Sequence, residues 1–359
     1  EIAQCLVGSE MCIRDRHKEY TYQNIMEDTL SRNESRILML YRILEKYTDE
    51  DHQLSMEEIL QKLYNKGFEC EHDSVKRDIK LLREDFGVEI ISGRGRNATY
   101  FIGDRLLQNA EIKLLLDSIY ASNIIPNGIA ESISKKLRST VSIYDAEALD
   151  RSILGINIAK SENKRILINI NNIMHAINNK KQISFEYRHW TKDKVLKNRN
   201  GKSYSLNPFT LIWADGRYYL YGYDTKETDG ILKERVYRVD KLYHIEQLEF
   251  EIRGKEQFSE FNPDTYVSRR IGMFSGKEEC ITVKIPEYLV GAFLDQFGTN
   301  IEICDDEQTE YLQVSFYAVP SNIFLGWIIG LGNVEILQPD NVKSKMLELL
   351  KKNIDLCQG

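Results

Sequence analysis

The segment DSVKRDIKLLREDFGVEI (residues 73–90), running directly into ISGRGRNATYFI (residues 91–102), decides how the first part of the chain folds. Val75, Ile79, Leu82 and Phe86 recur at helical spacing and define an apolar face, with Asp73 or Ser74 as the candidate N-cap. Ser74, Lys76, Arg77, Lys80 and Arg83 lie mostly on the opposite face, and Gly87 stands where such a helix would end. Val88–Ile91 and Ala98–Ile102 then read as short strands. The turn between them, GRGRN (residues 93–97), is basic and rich in residues that tolerate positive φ. A cationic helix face followed by an arginine-tipped hairpin suits a helix in the major groove and a wing on phosphate. Ser74, Lys76, Arg77 and Lys80 are the candidate contacts from the helix, and Arg94 and Arg96 from the wing.

Most charged helix faces are merely solvated, and Asp78, Glu84 and Asp85 dilute this one. The order of elements therefore carries the assignment. Ser31 to about Tyr47 predicts an amphipathic helix with Ile37, Leu38, Leu40, Tyr41 and Leu44 inward. Ser55-Met-Glu-Glu58 has the capping-box pattern and opens a second helix that Gly67 stops. Three helices and a hairpin make a winged helix–turn–helix over residues 27–104.

A chain of 359 residues holds two or three domains. Its 42% hydrophobic and 29% charged content is that of a globular protein, and its formal net charge of −7 argues against indiscriminate coating of nucleic acid. A DNA-binding surface here is expected as a local basic patch on an acidic body. Cys5, Cys12, Cys70, Cys280, Cys304 and Cys357 are scattered without a CxxC pair, which fits free thiols in a reducing cytoplasm. The apolar run Ile323–Leu331 is too short to span a bilayer, so no membrane partner is expected. Residues 1–16, with LVGSEMCIRD at 6–15, read as a translated sequencing adapter rather than evolved protein. On that expectation the native start is lost or lies near Met26.

Helical patterns follow at Asn109–Asn123, Ile129–Val141, Asp145 to about Leu154, and Ser161–Asn179, giving a helical connector over residues 105–180. Such helices serve as dimerisation struts or simply pack on their neighbours, and the pattern is compatible with both. The centre then changes character. Gln182–Tyr187, Tyr204–Phe209, Thr210–Trp213, Arg217–Tyr223 and Glu234–Leu242 read as strands, with Trp190–Lys202 as a polar, basic hairpin loop. Short aromatic strands at close spacing predict a small β-barrel or a strongly bent sheet.

Tyr187, NPF at residues 207–209, DGRYYLYGYD at 215–224 and YRVDKL at 237–242 together resemble the WYL domain. Tyr218 stands in place of the usual Trp of the triplet, and Lys241 in place of a usual Arg, whose planar fork Lys cannot reproduce. The resemblance implies a WYL region of SH3/Sm-like barrel type over residues 181–252, a linker over 253–277, and a C-terminal WCX extension over 278–355. In that last part the β-α-β-α-β-α pattern predicts a ferredoxin-like α+β sandwich with an antiparallel sheet. The fold class expected for the chain is thus multidomain α+β.

The resemblance further implies a ligand sensor, with single-stranded nucleic acid or a nucleotide as the ligand class and no cofactor. Tyr187, Tyr204, Tyr218 and Tyr219 then offer stacking faces, and Arg188, His189, Arg235, Arg238 and Lys241 offer cations for phosphate. Alternation along Arg217–Tyr223 puts one set of these tyrosines in a core. Arg238 and Asp240 share a face, so an internal ion pair competes with phosphate binding. The expected whole is a homodimeric transcriptional regulator on a palindromic double-stranded operator, its recognition helices about 34 Å apart. An accessory module that binds nucleic acid without regulating transcription is the alternative. An enzyme is not expected, because the chain has no HExxH, P-loop, GxSxG or metal-like carboxylate cluster.

Overall fold

The computed structural model describes residues 32–93, 95, 98–152, 160–228, 230–305 and 311–358. The chain divides into two compact units, Glu1–Ala121 with Asn127–Ile158, and Ser122–Pro126 with Ala159–Gly359. The adapter-like segment at residues 1–16, Met26, and the wing residues Arg94 and Arg96 lie outside the described residues.

In the first unit, helices α1 (Arg32–Tyr47), α2 (Met56–Tyr64) and α3 (His72–Glu84) pack with strands β1 (Leu54–Ser55), β2 (Ile90–Ser92) and β3 (Thr99–Ile102). The strands form an antiparallel sheet in the order β1-β3-β2. Leu40 and Leu44 of α1, Ile59 and Leu63 of α2, and Val75 of α3 are fully buried together in its core. The capping box expected at Ser55 is present in both directions: the Ser55 hydroxyl accepts from the Glu58 N–H, and the Glu58 carboxylate accepts from the Ser55 N–H at 2.7 Å.

Asp78 does not dilute the exposed face of α3. It points inward, 5% exposed, and accepts two bonds from the Arg36 guanidinium of α1 at 2.7 and 3.0 Å. Phe86, expected on the apolar face, is 67% exposed because α3 ends at Glu84 and the helical period stops before it. Leu38 is likewise exposed, on the outer side of α1.

Among the described residues this unit also holds α4 (Asn109–Ala121), α5 (Asn127–Arg138) and α6 (Ile143–Ser152). They bury Ile112, Leu116, Val141 and Leu149 among themselves. Arg105 joins them to α1. Its guanidinium donates to the Glu45 and Thr48 carbonyls, which the last turn of α1 leaves without helical donors, and to the Thr140 carbonyl after α5. Ser142 donates to Asp49 and caps α6 by accepting from the Asp145 N–H.

The second unit opens with α7 (Ile166–Asn178), the last helix of the expected connector. It lies against a five-stranded antiparallel sheet in the order β7-β6-β5-β4-β8. The strands are β4 (Lys181–Trp190), β5 (Leu196–Ala214), β6 (Arg217–Thr228), β7 (Ile231–Arg238) and β8 (Leu242–Glu251). The expected barrel is not closed: β7 and β8 are the two edges, with no pairing between them among the described residues. The strand expected over Glu234–Leu242 is broken by a single 3-10 turn, Val239–Lys241, whose buried Val239 and Asp240 interrupt the alternation. Most of the expected Trp190–Lys202 loop is strand, because β4 and β5 run on to a short turn at residues 191–195.

Within the sheet, β5 and β6 approach unusually closely. A Cβ at Gly222 would sit 2.2 Å from the Asn207 carbonyl oxygen, which only glycine permits. The Asn207 side chain is fully buried, donates to the Tyr223 and Asp224 carbonyls and accepts from the Arg253 N–H. Pro208, which has no N–H for the ladder, is followed by a register shift that leaves Phe209 as the extra residue.

The expected linker is instead part of the core. Helices α8 (Lys255–Ser259) and α9 (Pro263–Ser268), with Phe261 between them and a 3-10 turn at Ile271–Met273, bring Phe258, Phe261, Tyr266 and Met273 onto Phe209, Tyr221 and Tyr223 of the sheet. Beyond them come β9 (Glu279–Pro286), α10 (Val290–Phe297), β10 (Glu302–Asp305), β11 (Tyr311–Ala318), α11 (Asn322–Leu331), β12 (Glu335–Gln338) and α12 (Asp340–Gln358). Their strands form an antiparallel sheet in the order β10-β11-β9-β12, over a core that includes Phe293, Phe297, Phe316 and Phe324. The sequence pattern missed β10, whose four residues are all exposed and carry no alternation.

Removing one partner of a largely buried ion pair leaves the other charge uncompensated, at a cost of about 3 kcal/mol. Asp78→Ala is therefore expected to lower the stability of the α1–α3 core by about that much. The double replacement Arg36→Met/Asp78→Leu should lose far less. Hydrogen exchange at the α1 and α3 amides measures both.

Candidate functional site

The exposed face of α3 is built by burial of its opposite side. Val75, Asp78, Ile79 and Leu82 face the core, which turns Lys76, Arg77 and Lys80 outward and leaves Ser74 half-buried. The helix begins at His72, with Glu71 as its N-cap and no side-chain bond there, so Asp73 and Ser74 lie inside the first turn rather than at the expected cap. Arg77 bonds the Asp73 carbonyl and the Ser74 hydroxyl, each at 3.3 Å. Lys76 lies 4.0 Å from Asp73 and Lys80 lies 3.7 Å from Glu84, exposed pairs that hold the cations only weakly. Arg83 has a different task. Its guanidinium donates to the Ile90 carbonyl at 2.6 Å and to the Ser92 hydroxyl at 3.0 Å, fixing the β2–β3 hairpin to the helix.

The candidate ligand residues of the second unit fall into separate groups. Along β6, Tyr219, Tyr221 and Tyr223 are 7%, 2% and 5% exposed and pack in one aromatic cluster. Tyr219 is thus a core residue without an open stacking face. Tyr218 meets Trp213 edge to face at 4.7 Å. Tyr187 and Tyr204 gather with Phe185 around Tyr237, whose ring lies 5.2, 5.9 and 5.0 Å from theirs. Tyr237 is the residue that sequence reasoning did not single out. Its place at the head of the YRVDKL stretch, between Arg235 and Arg238, was the signal available in the sequence.

The three arginines are already engaged. Arg238 makes a two-bond pair with Asp240 at 3.0 and 2.7 Å, so the internal partner anticipated from sequence is in place. Arg235 pairs with Asp224 at 3.1 Å. Arg188 pairs with Glu186 at 3.2 Å and lies over the Tyr243 ring at 3.9 Å. Burial pushes the Lys241 ammonium down from the usual lysine range, and neighbouring Arg238 adds to that. Burial also pushes the Tyr187 and Tyr219 phenols up, offset in part by Arg238. Tyr187, Tyr219, Arg238 and Lys241 therefore share one electrostatic neighbourhood. A phosphate reaching Arg238 competes with the Asp240 carboxylate, which already holds its Nε and one Nη. Among the described residues no cluster of His, Cys, Asp and Glu could hold a metal ion, and no helix is long and apolar enough to cross a membrane.

Residues 169–247 match the family model of the WYL domain. The chain carries a WYL domain. The match begins inside α7, so that helix goes with the sheet it covers rather than with the helices before it. No curated protein matches the chain. Among solved structures, proteasome accessory factor B/C (PafBC) of Arthrobacter aurescens is similar at 15% identity and a TM-score of 0.28, over 89% of this chain and 48% of that one. This chain thus spans about half the length of that protein. A CRISPR Cas-related protein is similar at 14% identity and a TM-score of 0.28, over 92% of both chains.

Burial raises the Tyr237 phenol to about 12, against an ordinary value of about 10. A group whose pKa is higher when folded contributes its stability in full below the unfolded value and loses it as pH rises through the folded one. The WYL domain is therefore expected to lose stability between about pH 10 and pH 12. Tyr237→Phe should move the alkaline unfolding midpoint upward. Denaturation curves at stepped alkaline pH, with tyrosinate absorbance as the second probe, measure both effects.

Proposed function

We propose that the protein is a ligand-responsive, DNA-binding transcriptional regulator. On this reading the α1–α3 core with its β1-β3-β2 sheet is a winged helix–turn–helix, and α3 is its recognition helix. The observation that carries the reading is the outer face of α3: Lys76, Arg77 and Lys80 are exposed beside Ser74, while Arg83 ties the adjacent hairpin to the same helix. A cationic helix with a hairpin fixed next to it has the parts needed to enter a major groove while touching the flanking backbone. The overall acidity of the chain suits selective rather than indiscriminate binding.

The WYL domain is the sensor in this proposal, with a nucleotide or single-stranded nucleic acid as its ligand. The cluster around Tyr237 supplies aromatic faces, and Arg238 supplies a guanidinium whose partner Asp240 a phosphate would replace. The C-terminal sheet, in the order β10-β11-β9-β12 with connecting helices, reads as a ferredoxin-like WCX extension. A homodimer on a palindromic operator completes the scheme, with ligand binding favouring one arrangement of the two heads.

Arg77→Ala tests the role given to α3. Affinity for the preferred duplex site is expected to fall by about 1–3 kcal/mol, with specificity relaxed at one base position and binding to random duplex nearly unchanged. Equal losses on both duplexes would reduce Arg77 to a phosphate contact and remove the reading helix from the account. Electrophoretic mobility shift at fixed salt, with the gene's own upstream region against a shuffled duplex, gives the comparison.

A further inference from the structure

We infer that the β4–β5 hairpin arm, residues 188–202, is a binding surface for single-stranded nucleic acid, distinct from the face around Tyr237 and Arg238. This rests on the proposed nucleic-acid ligand of the WYL domain and gives that ligand a second place to bind. The arm is an ordered ribbon rather than a loose loop. Arg188 pairs with Asn198, His189 with Lys197 and Trp190 with Leu196 across it. The Thr191 N–H bonds the Val195 carbonyl at 3.0 Å, the Lys194 N–H bonds the Thr191 carbonyl at 3.0 Å, and Lys194 takes the left-handed conformation that closes the turn.

Its composition departs sharply from that of the chain. The arm's sequence holds Arg188, Lys192, Lys194, Lys197, Arg199 and Lys202 against a single acidic residue, Asp193, in a protein of net charge −7. Lys192, Lys194, Lys197 and Lys202 are exposed, and none has an ion-pair partner among the described residues. This is the reverse of the situation beside Tyr237, where Arg235 and Arg238 each hold a carboxylate. A phosphate backbone arriving at Lys192, Lys194 and Lys197 displaces only water and counter-ions, whereas at Arg238 it competes with the Asp240 carboxylate.

Charge alone would mark a solvated ribbon. The second observation is the exposed apolar surface among the cations. Trp190 and Val195, at the tip, are each 49% exposed, and Trp190 stands opposite Leu196 on one face of the ribbon. An indole held on a rigid ribbon and flanked by unpaired lysines has the composition of a base-stacking platform with an electrostatic track. An unstacked base fits such a surface. A duplex would have to be opened for its bases to reach Trp190.

The test uses the full chain and a labelled oligothymidylate, with binding followed by fluorescence anisotropy across a salt series. Reversing the arm's charge with Lys192→Glu, Lys194→Glu and Lys197→Glu together should weaken binding at least tenfold. It should also flatten the salt slope by roughly 0.7 for each phosphate no longer neutralised. Trp190→Ala, which changes no charge, should weaken binding roughly tenfold with the slope unchanged. Both variants alter exposed positions and should keep wild-type affinity for the duplex site read by α3, which checks that the chain is folded. Wild-type oligonucleotide affinity in both variants would overturn the arm while leaving the WYL ligand reading intact. No oligonucleotide binding by the wild-type chain would overturn that reading and the arm together. Tighter binding of the arm to a duplex of the same length, or to phosphatidylglycerol vesicles, would overturn the single-strand assignment.

Discussion

Strand β6 is buried on both faces: Tyr219, Tyr221 and Tyr223 lie under the aromatic cover of α8 and α9, and Leu220 and Gly222 face the other side without exposure. Much of the WYL domain follows from that constraint. A strand without a wet face needs close partners, and Gly222 allows the Asn207 carbonyl to approach to where a side chain would stand. The Asn207 amide then satisfies the Tyr223 and Asp224 carbonyls that would otherwise be buried without a donor. The tyrosine-rich motif is therefore chiefly architecture. Partly open aromatic side chains include those around Tyr237, Trp213 with Tyr218, Trp190 on the β4–β5 arm, and Phe250 on β8.

Charge is divided in a related way. Arg36, Arg235 and Arg238 each hold a carboxylate within the fold, and Arg83 and Arg105 are engaged by carbonyls. These arginines use planar, several-donor geometry to join elements. Many lysines face water across the chain, and those on the outer side of α3, with Arg77, and on the β4–β5 arm are grouped on single elements. In an acidic chain, such patches determine where a polyanion can approach.

Part of this was legible in the sequence because local rules and tertiary packing agree. The capping box at Ser55 is reciprocal local hydrogen bonding, and the apolar period Val75-Ile79-Leu82 follows from a buried helix face. What was not legible depended on partners distant in the chain. Asp78 reads as a surface acid until Arg36 arrives from α1. Residues 253–277 read as a linker because Phe258, Phe261 and Tyr266 have no strand or long-helix period, and only the sheet they cover explains them. β10 has no buried side, and β8 follows β7 so closely that the 3-10 turn between them leaves no composition break. At the candidate site, the Arg238–Asp240 pair was visible as an alternative, whereas the burial of Tyr219 and the central place of Tyr237 needed the packing of the sheet.

The central claim joins a DNA-reading helix to a sensor in the same chain, and coupling between them is the property that would fail first if the claim were wrong. The most direct measurement is the affinity of the full chain for a duplex carrying its own upstream region, titrated with and without saturating oligothymidylate at one salt concentration. The account predicts a sequence-preferring complex whose dissociation constant shifts at least fivefold when the oligonucleotide is present, a coupling of about 1 kcal/mol or more. A duplex affinity that ignores both the sequence and the oligonucleotide would contradict it.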